Sequence, residues 1–155
     1  MFQRVTLIGH VGQDPQMRYT PDGTPVVSFS LATKTTVSKA RNPECPTGWK
    51  ESFNGKAWEV TTWWRVTCWR QLAETVNQFV NKGMQLFVEG EMAGVAENGS
   101  LNPRVWTGKD GSARASFEIT ARTLKFVGSR GEGAPAPALG EAPPEGYEDE
   151  GELPF

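Results

Sequence analysis

The stretch WEVTTWWRVTCW at positions 58–69 concentrates four of the chain's six tryptophans in twelve residues. An extended strand turns successive side chains to opposite faces. One face then collects Trp63, Arg65, Thr67 and Trp69. The other collects Val60, Thr62, Trp64, Val66 and Cys68, with Trp58 joining it if the strand is unbroken. Val66 and Cys68 suit a core, so Trp63 and Trp69 are expected to face outward on either side of Arg65. Large outward aromatic rings on a folded protein imply a partner. A nucleic-acid base fits: stacking on an aromatic ring contributes about 1–3 kcal/mol per base, and a guanidinium beside it neutralises phosphate. A duplex hides base faces, so the pattern points to single strands. Sugars also stack on tryptophan and subunit interfaces also bury it, so an oligosaccharide-binding or structural module remains the competing class.

Other residues extend this pattern. Trp106 lies in RVWTGKDGSAR with Arg104, Lys109 and Arg114 nearby, the composition of a basic, aromatic hairpin arm. Trp49, beside Lys50, lies in a loop rich in Pro, Gly and Asn. Trp64 shares parity with the core and is assigned to packing or a subunit contact. His10, the only histidine, alternates with Thr6 and Ile8 and reads as structural. Glu89 and Glu91 alternate along a strand, as a solvated face or partners for basic neighbours would.

Nothing in the sequence assembles a catalytic centre. GxxxxGK, HExxH and GxSxG are all absent. Cys45 and Cys68 have no second Cys or His at metal-ligand spacing. The expectation is a binding protein without cofactor or metal, not an enzyme. Two cysteines make no disulfide framework, and the sequence shows neither an export signal nor a membrane-length apolar run. A reduced, cytoplasmic protein is therefore expected.

The elements that must position these residues are short strands separated by turn signals. Strands are expected near 4–12, 25–35, 58–69, 84–92 and 116–127, with two turns in QDPQMRYTPDG and a loop from about 38 to 55. Between the third and fourth strands, QLAETVNQFVNKG places Leu72, Ala73, Val76, Phe79 and Val80 at helical spacing. Lys82 is read in that helix's last turn, with Gly83 just past its end. Five strands with a helix between the third and fourth is the element order of an OB-fold, a partly open barrel; an SH3-like barrel usually lacks that helix. The fold class expected is all-β with one helix.

Charge divides the chain. Residues 1–130 hold all 16 Lys and Arg against 11 Asp and Glu, an excess of five positive charges, whereas residues 131–155 hold 7 acids and no Lys or Arg. The basic body suits a polyanion. The tail is rich in Gly, Pro and acid, with too little apolar bulk to offset its ordering entropy, and is expected to be disordered. Its tip, EDEGELPF, sets Leu153, Pro154 and Phe155 on an acidic leash, as a docking motif would. A barrel over residues 1–130 and a recruiting tail over 131–155 is the domain reading.

Taken in order, these segments resemble the bacterial single-stranded DNA-binding protein family. VTLIGHVGQDPQMRYTPDGTPVVSFSLAT is similar to its first two strands, TTWWRVTCWRQLAE to its third strand and helix start, and NKGMQLFVEGEM to its fourth. RVWTGKDGSARASFEIT is similar to its hairpin arm and fifth strand, and EDEGELPF to its acidic tip. The resemblance implies a homotetramer that wraps single-stranded DNA during replication, recombination and repair, and whose tail docks on enzymes of those pathways. It places Trp63, Trp69 and Trp106 as base-stacking aromatics. Arg4, Arg18, Arg65 and Lys82 match or neighbour backbone-contacting positions, with Arg104 and Arg114 on the arm. Glu148, Asp149, Glu150, Glu152, Pro154 and Phe155 match the partner-binding tip, which also takes in Leu153. The chain departs from the family at Trp64, where histidine is common, at Trp69, where phenylalanine is common, at Gly151 and Leu153 in the tip, and in longer segments at 38–55 and 94–103.

Overall fold

A computed structural model of the chain describes residues 2–97, 100–108 and 111–127. The tail at 131–155, with its docking residues, lies outside the described residues, as does Lys109. Ten strands and one helix follow in order: β1 Val5–Val11, β2 Gln16–Tyr19, β3 Pro25–Ser38, β4 Lys50–Glu51, β5 Ala57–Trp69, α1 Gln71–Phe79, β6 Gln85–Ala93, β7 Val95–Glu97, β8 Ser100–Asn102, β9 Arg104–Thr107 and β10 Ala113–Phe126. Valine, threonine and aromatic side chains fill β3, β5 and β10, where branched and planar groups pack well on a pleated surface.

Five of these strands close on themselves. β3 pairs with β1, β1 with β6, β6 with β10, β10 in parallel with β5, and β5 with β3. The helix falls between the third and fourth barrel strands, so the architecture is the expected OB-fold. Inside lies one core, with Val11, Val27, Leu31, Val66, Cys68, Leu86, Val88 and Ile119 wholly buried. Closing so small a barrel brings backbones together: a Cβ at Gly90 would lie 2.1 Å from the Thr120 carbonyl oxygen. Beside it, a bulge between Ala121 and Thr123 lets Arg122 reach Glu91 at 3.3 Å.

Several boundaries differ from the sequence reading, each for a local reason. QDPQMRYTPDG is not only turns: Gln16–Tyr19 forms β2, which continues the β3 ladder where β1 leaves it. A tight turn, in which the hydroxyls of Thr20 and Thr24 bond the Asp22 carboxylate and hold its pKa below the usual value, returns β2 to β3. The helix ends at Phe79, with Val80 already extended and its N–H bonded to Val76 O at 2.9 Å. Lys82 and Gly83 therefore belong to the following turn, not to the helix end. That turn is fixed by Met84 N–H donating to Asn81 O at 3.2 Å and by Gly83 at φ 88°. Phe79 leaves the apolar stripe at 52% exposure, while Ala73, Val76 and Val80 are buried against the barrel.

The β3–β5 ladder runs from Val26 opposite Trp69 to Ser38 opposite Ala57, past the barrel into an arm. Trp58 does not join the barrel core; it packs in this arm, its Nε1 donating to Asn42 O at 2.8 Å and its ring lying under Lys39. The segment expected as a loop from 38 to 55 includes β4, which pairs with β5. The excursion after β6 contains the β7–β8 hairpin, and β9 folds back on β10.

Candidate nucleic-acid interface

The pleat of β5 carries out the predicted division. Val66 and Cys68 are buried in the core, and burial pushes the Cys68 thiol up to about 12, an inert side chain at neutral pH. Trp63, Arg65, Thr67 and Trp69 occupy the opposite face, each half-buried. Their register partners on β3 are Ala32, Ser30, Ser28 and Val26. Three small residues and a valine keep that strand low, so the larger side chains of β5 stand above a shallow trough.

Trp63 is positioned by what lacks a side chain. Gly12 leaves β1 with its N–H bonded to Ser30 O at 2.9 Å, and a Cβ there would meet the Trp63 indole at 2.4 Å. The indole thus lies against the Gly12 backbone. Next to it, Gln13, Asp14, Gln16, Ser28, Ser30 and Arg65 line a polar hollow of about 20 Å³. Lys82 is drawn to the same end, its N–H donating to the Asp14 carboxylate at 2.7 Å.

Trp106 arrives from the arm. In the β9–β10 ladder Trp106 faces Arg114 and Arg104 faces Ser116. The Trp106 Nε1 donates to Ser116 Oγ at 2.9 Å, and the Arg114 guanidinium lies over the ring, 5.4 Å from its centroid. Trp63, Trp106, Arg114, Ser116 and Phe117 then wall a cleft of about 340 Å³ with Thr61, Thr62 and Ala115. Phe117 is half-exposed there and stacks at a tilt on Trp64, centroids 5.3 Å apart. Trp64 packs on the core edge and donates Nε1–H to Thr33 Oγ1 at 2.9 Å, the packing role its parity implied.

The residues named from sequence are not all gathered here. Trp63, Arg65 and Trp69 share one strand face; Arg18 lies in lateral line with Trp69, because it faces Val26 and Val26 faces Trp69. Trp106 and Arg114 join through the cleft, and Lys82 through Asp14. Arg104 also lies on the arm, but its Nε stands 3.6 Å from Glu118 in an ion pair. Arg4 is elsewhere: it precedes β1, pairs with Glu89 at 3.4 Å and covers Phe2. Trp49 stays in the segment before β4, its N–H bonded to Pro46 O. Gly12 and the Ser28, Ser30, Ala32 row were not singled out by sequence reasoning, although the period-two run of small residues in SFSLA was the signal. Among the described residues no cluster of His, Cys, Asp and Glu could hold a metal ion, and no helix is long and apolar enough to cross a membrane.

The model of the single-strand binding protein family matches residues 2–127, nearly the whole described body. The chain belongs to that family. Among curated relatives, single-stranded DNA-binding protein 1 of Xylella fastidiosa is 37% identical over 127 residues, covering 82% of this chain and 78% of that protein. The single-stranded DNA-binding protein of Neisseria meningitidis serogroup A is 36% identical over 135 residues, covering 85% of this chain; the match spans 65% of that protein, just under two thirds. A solved Plasmodium falciparum SSB in complex with ssDNA superposes with a TM-score of 0.54 at 19% identity, covering 83% of this chain and 96% of the other. At that identity the superposition speaks for the fold. The family membership agrees with the element order, which was drawn from residues alone.

Proposed function

We propose that this chain binds single-stranded DNA without regard to sequence, serves DNA replication, recombination and repair, and recruits partner proteins through its C-terminal tip. The observation that carries the binding half is the outward row Trp63–Arg65–Trp69 on β5, continued across a cleft to Trp106 and Arg114. Bases stack on the indoles, and Arg65, Arg18, Lys82 and Arg114 neutralise the intervening phosphates. Every base has a π-face and every nucleotide a phosphate, so this chemistry does not select a sequence. Arg4 and Arg104, ion-paired with Glu89 and Glu118, add positive charge to the same body.

The chain assembles as a homotetramer in this reading. Ile8, 53% exposed, sits opposite Phe87 on the outer side of β1 and β6, which supports a subunit contact there. The acids Glu148, Asp149, Glu150 and Glu152 with Leu153, Pro154 and Phe155 form the docking tip. Their charge keeps the tip off the DNA path while the apolar end is offered to partners. The reading places the protein on DNA in the cytoplasm and assigns it no catalytic step.

One pair of proteins tests both halves. The full chain and a chain lacking Leu153–Phe155 are titrated with oligo-dT, followed by tryptophan fluorescence and light scattering, and then offered replication proteins in a pull-down. Both are expected to show quenching, an affinity that falls as salt rises, much weaker binding to duplex of equal length, and a tetramer mass. Only the full chain is expected to retain partners. Equal affinity for duplex and single strand refutes the binding half, a monomer mass refutes the assembly, and partner capture by the truncated chain refutes the tail's role.

A further inference from the structure

Arg70, one residue past Trp69, is the only described residue other than glycine with a positive φ. At φ 54° and ψ −131° it lies outside even the small left-handed well open to ordinary side chains. The local reason is plain. Val66 and Cys68 point into the core, so a regular continuation of β5 would aim position 70 inward as well. Instead the backbone reverses, its N–H donates to Pro25 O at 2.8 Å, and the Arg70 carbonyl takes the Glu74 N–H at 3.2 Å as α1 begins. Glycine would make this reversal without strain. An arginine there keeps a cost that the fold alone does not require, and strain of this kind gathers at functional positions.

Its side chain is exposed and makes no hydrogen bond, ion pair or ring contact with the described residues. Several other cations are engaged: Lys34 with Glu59, Arg104 with Glu118, Arg122 with Glu91, and Arg114 on the Trp106 ring. Arg70 thus presents, beside an outward indole, a guanidinium that no described residue engages. Across Val26 from that indole stands Arg18. We infer that Arg70 is a further DNA-binding residue, which grips the phosphate next to the base stacked on Trp69, with Arg18 as a second cation near that ring. This rests on the stacking role of Trp69.

The test compares Arg70→Gly, Arg70→Lys and Trp69→Ala with the parent chain, by thermal melting and by oligo-dT affinity over a range of salt. Arg70→Gly is expected to melt roughly 4–8 °C higher as strain is relieved. At low salt it should bind about threefold to tenfold more weakly, and the slope of log affinity against log salt should flatten by about 0.7 for each bound barrel, the loss of one single-strand phosphate contact. Arg70→Lys is expected to keep the parent slope. A Gly variant with unchanged affinity and slope overturns the inference and leaves Arg70 a strained connector. Trp69→Ala separates the two readings: unaltered binding in that variant removes the stacking role of Trp69, whatever the slope of the Gly variant.

Discussion

Trp63→Ala is expected to lower the affinity for oligo-dT by about 5- to 150-fold per stacked site, the equivalent of about 1–3 kcal/mol, and to melt close to the parent temperature. The two halves of that result have separate origins. The indole forms one wall of the cleft it shares with Trp106, so its removal takes away a stacking surface and opens the cleft to water. It lies on the outer face, against Gly12, and is absent from the buried cluster and from the side chains packed on it, so the core barely notices. Trp64→Ala, one residue along, is the control with the opposite signature. It removes a ring that packs on the core, bonds Thr33 and touches Phe117. Melting should fall, and affinity should change less than for Trp63. Fluorescence titration and circular dichroism on the two variants check both outcomes; equal loss of affinity in both would show that face parity on β5 does not decide the binding surface.

Gly90→Ala is expected to give the largest loss of stability, about 3 kcal/mol, which lowers the melting temperature by roughly 10 °C. The added Cβ would sit 2.1 Å from the Thr120 carbonyl oxygen, 2.8 Å from its carbon and 2.9 Å from the Ala121 Cα. All three are backbone atoms, so no side-chain rotation relieves the overlap. Nor can the strands part easily, because Gly90 pairs with Ala121 on one side and with Val5 on the other. The seam between β6 and β10 must open, and with it the closure of the barrel. A melting temperature within a degree or two of the parent would mean that the seam is looser than this geometry.

The parts of the fold legible in the sequence are those with a strong period. WEVTTWWRVTCW alternates so sharply that its two faces follow from residue order alone, and Leu72, Ala73, Val76 and Val80 announce the helix. What misleads is chemistry shared between elements. Lys82 and Gly83 look like a helix end, yet glycine at positive φ serves a turn as well, and Phe79 cannot be told from a buried residue by spacing alone. The strand β2 is hidden because a barrel strand passes its partner from β1 to β2 at Gly12, where only the register of β3 reveals the hand-over. At the site, the residues proposed to bind are readable as large aromatics and cations. Those that shape it are not: Gly12 under Trp63, the small residues of β3 and the strained Arg70 act by size or backbone geometry, which a sequence encodes without marking. The arm beyond Ser38 takes its order from Trp58, Lys39 and Glu51 meeting across the chain, contacts that no local pattern foretells.

The central claim is that single-stranded DNA lies along the outer face of β5 and crosses to the β9–β10 arm. It is tested most directly by photo-crosslinking oligo-dT that carries 5-iododeoxyuridine, a base that couples to stacked aromatic rings, followed by peptide mapping of the attachment points. The account predicts crosslinks at Trp63, Trp69 and Trp106, with Trp64 and Trp58 spared. Crosslinks confined to the Ile8 and Phe87 side of the barrel, or spread over all six tryptophans without preference, would contradict it.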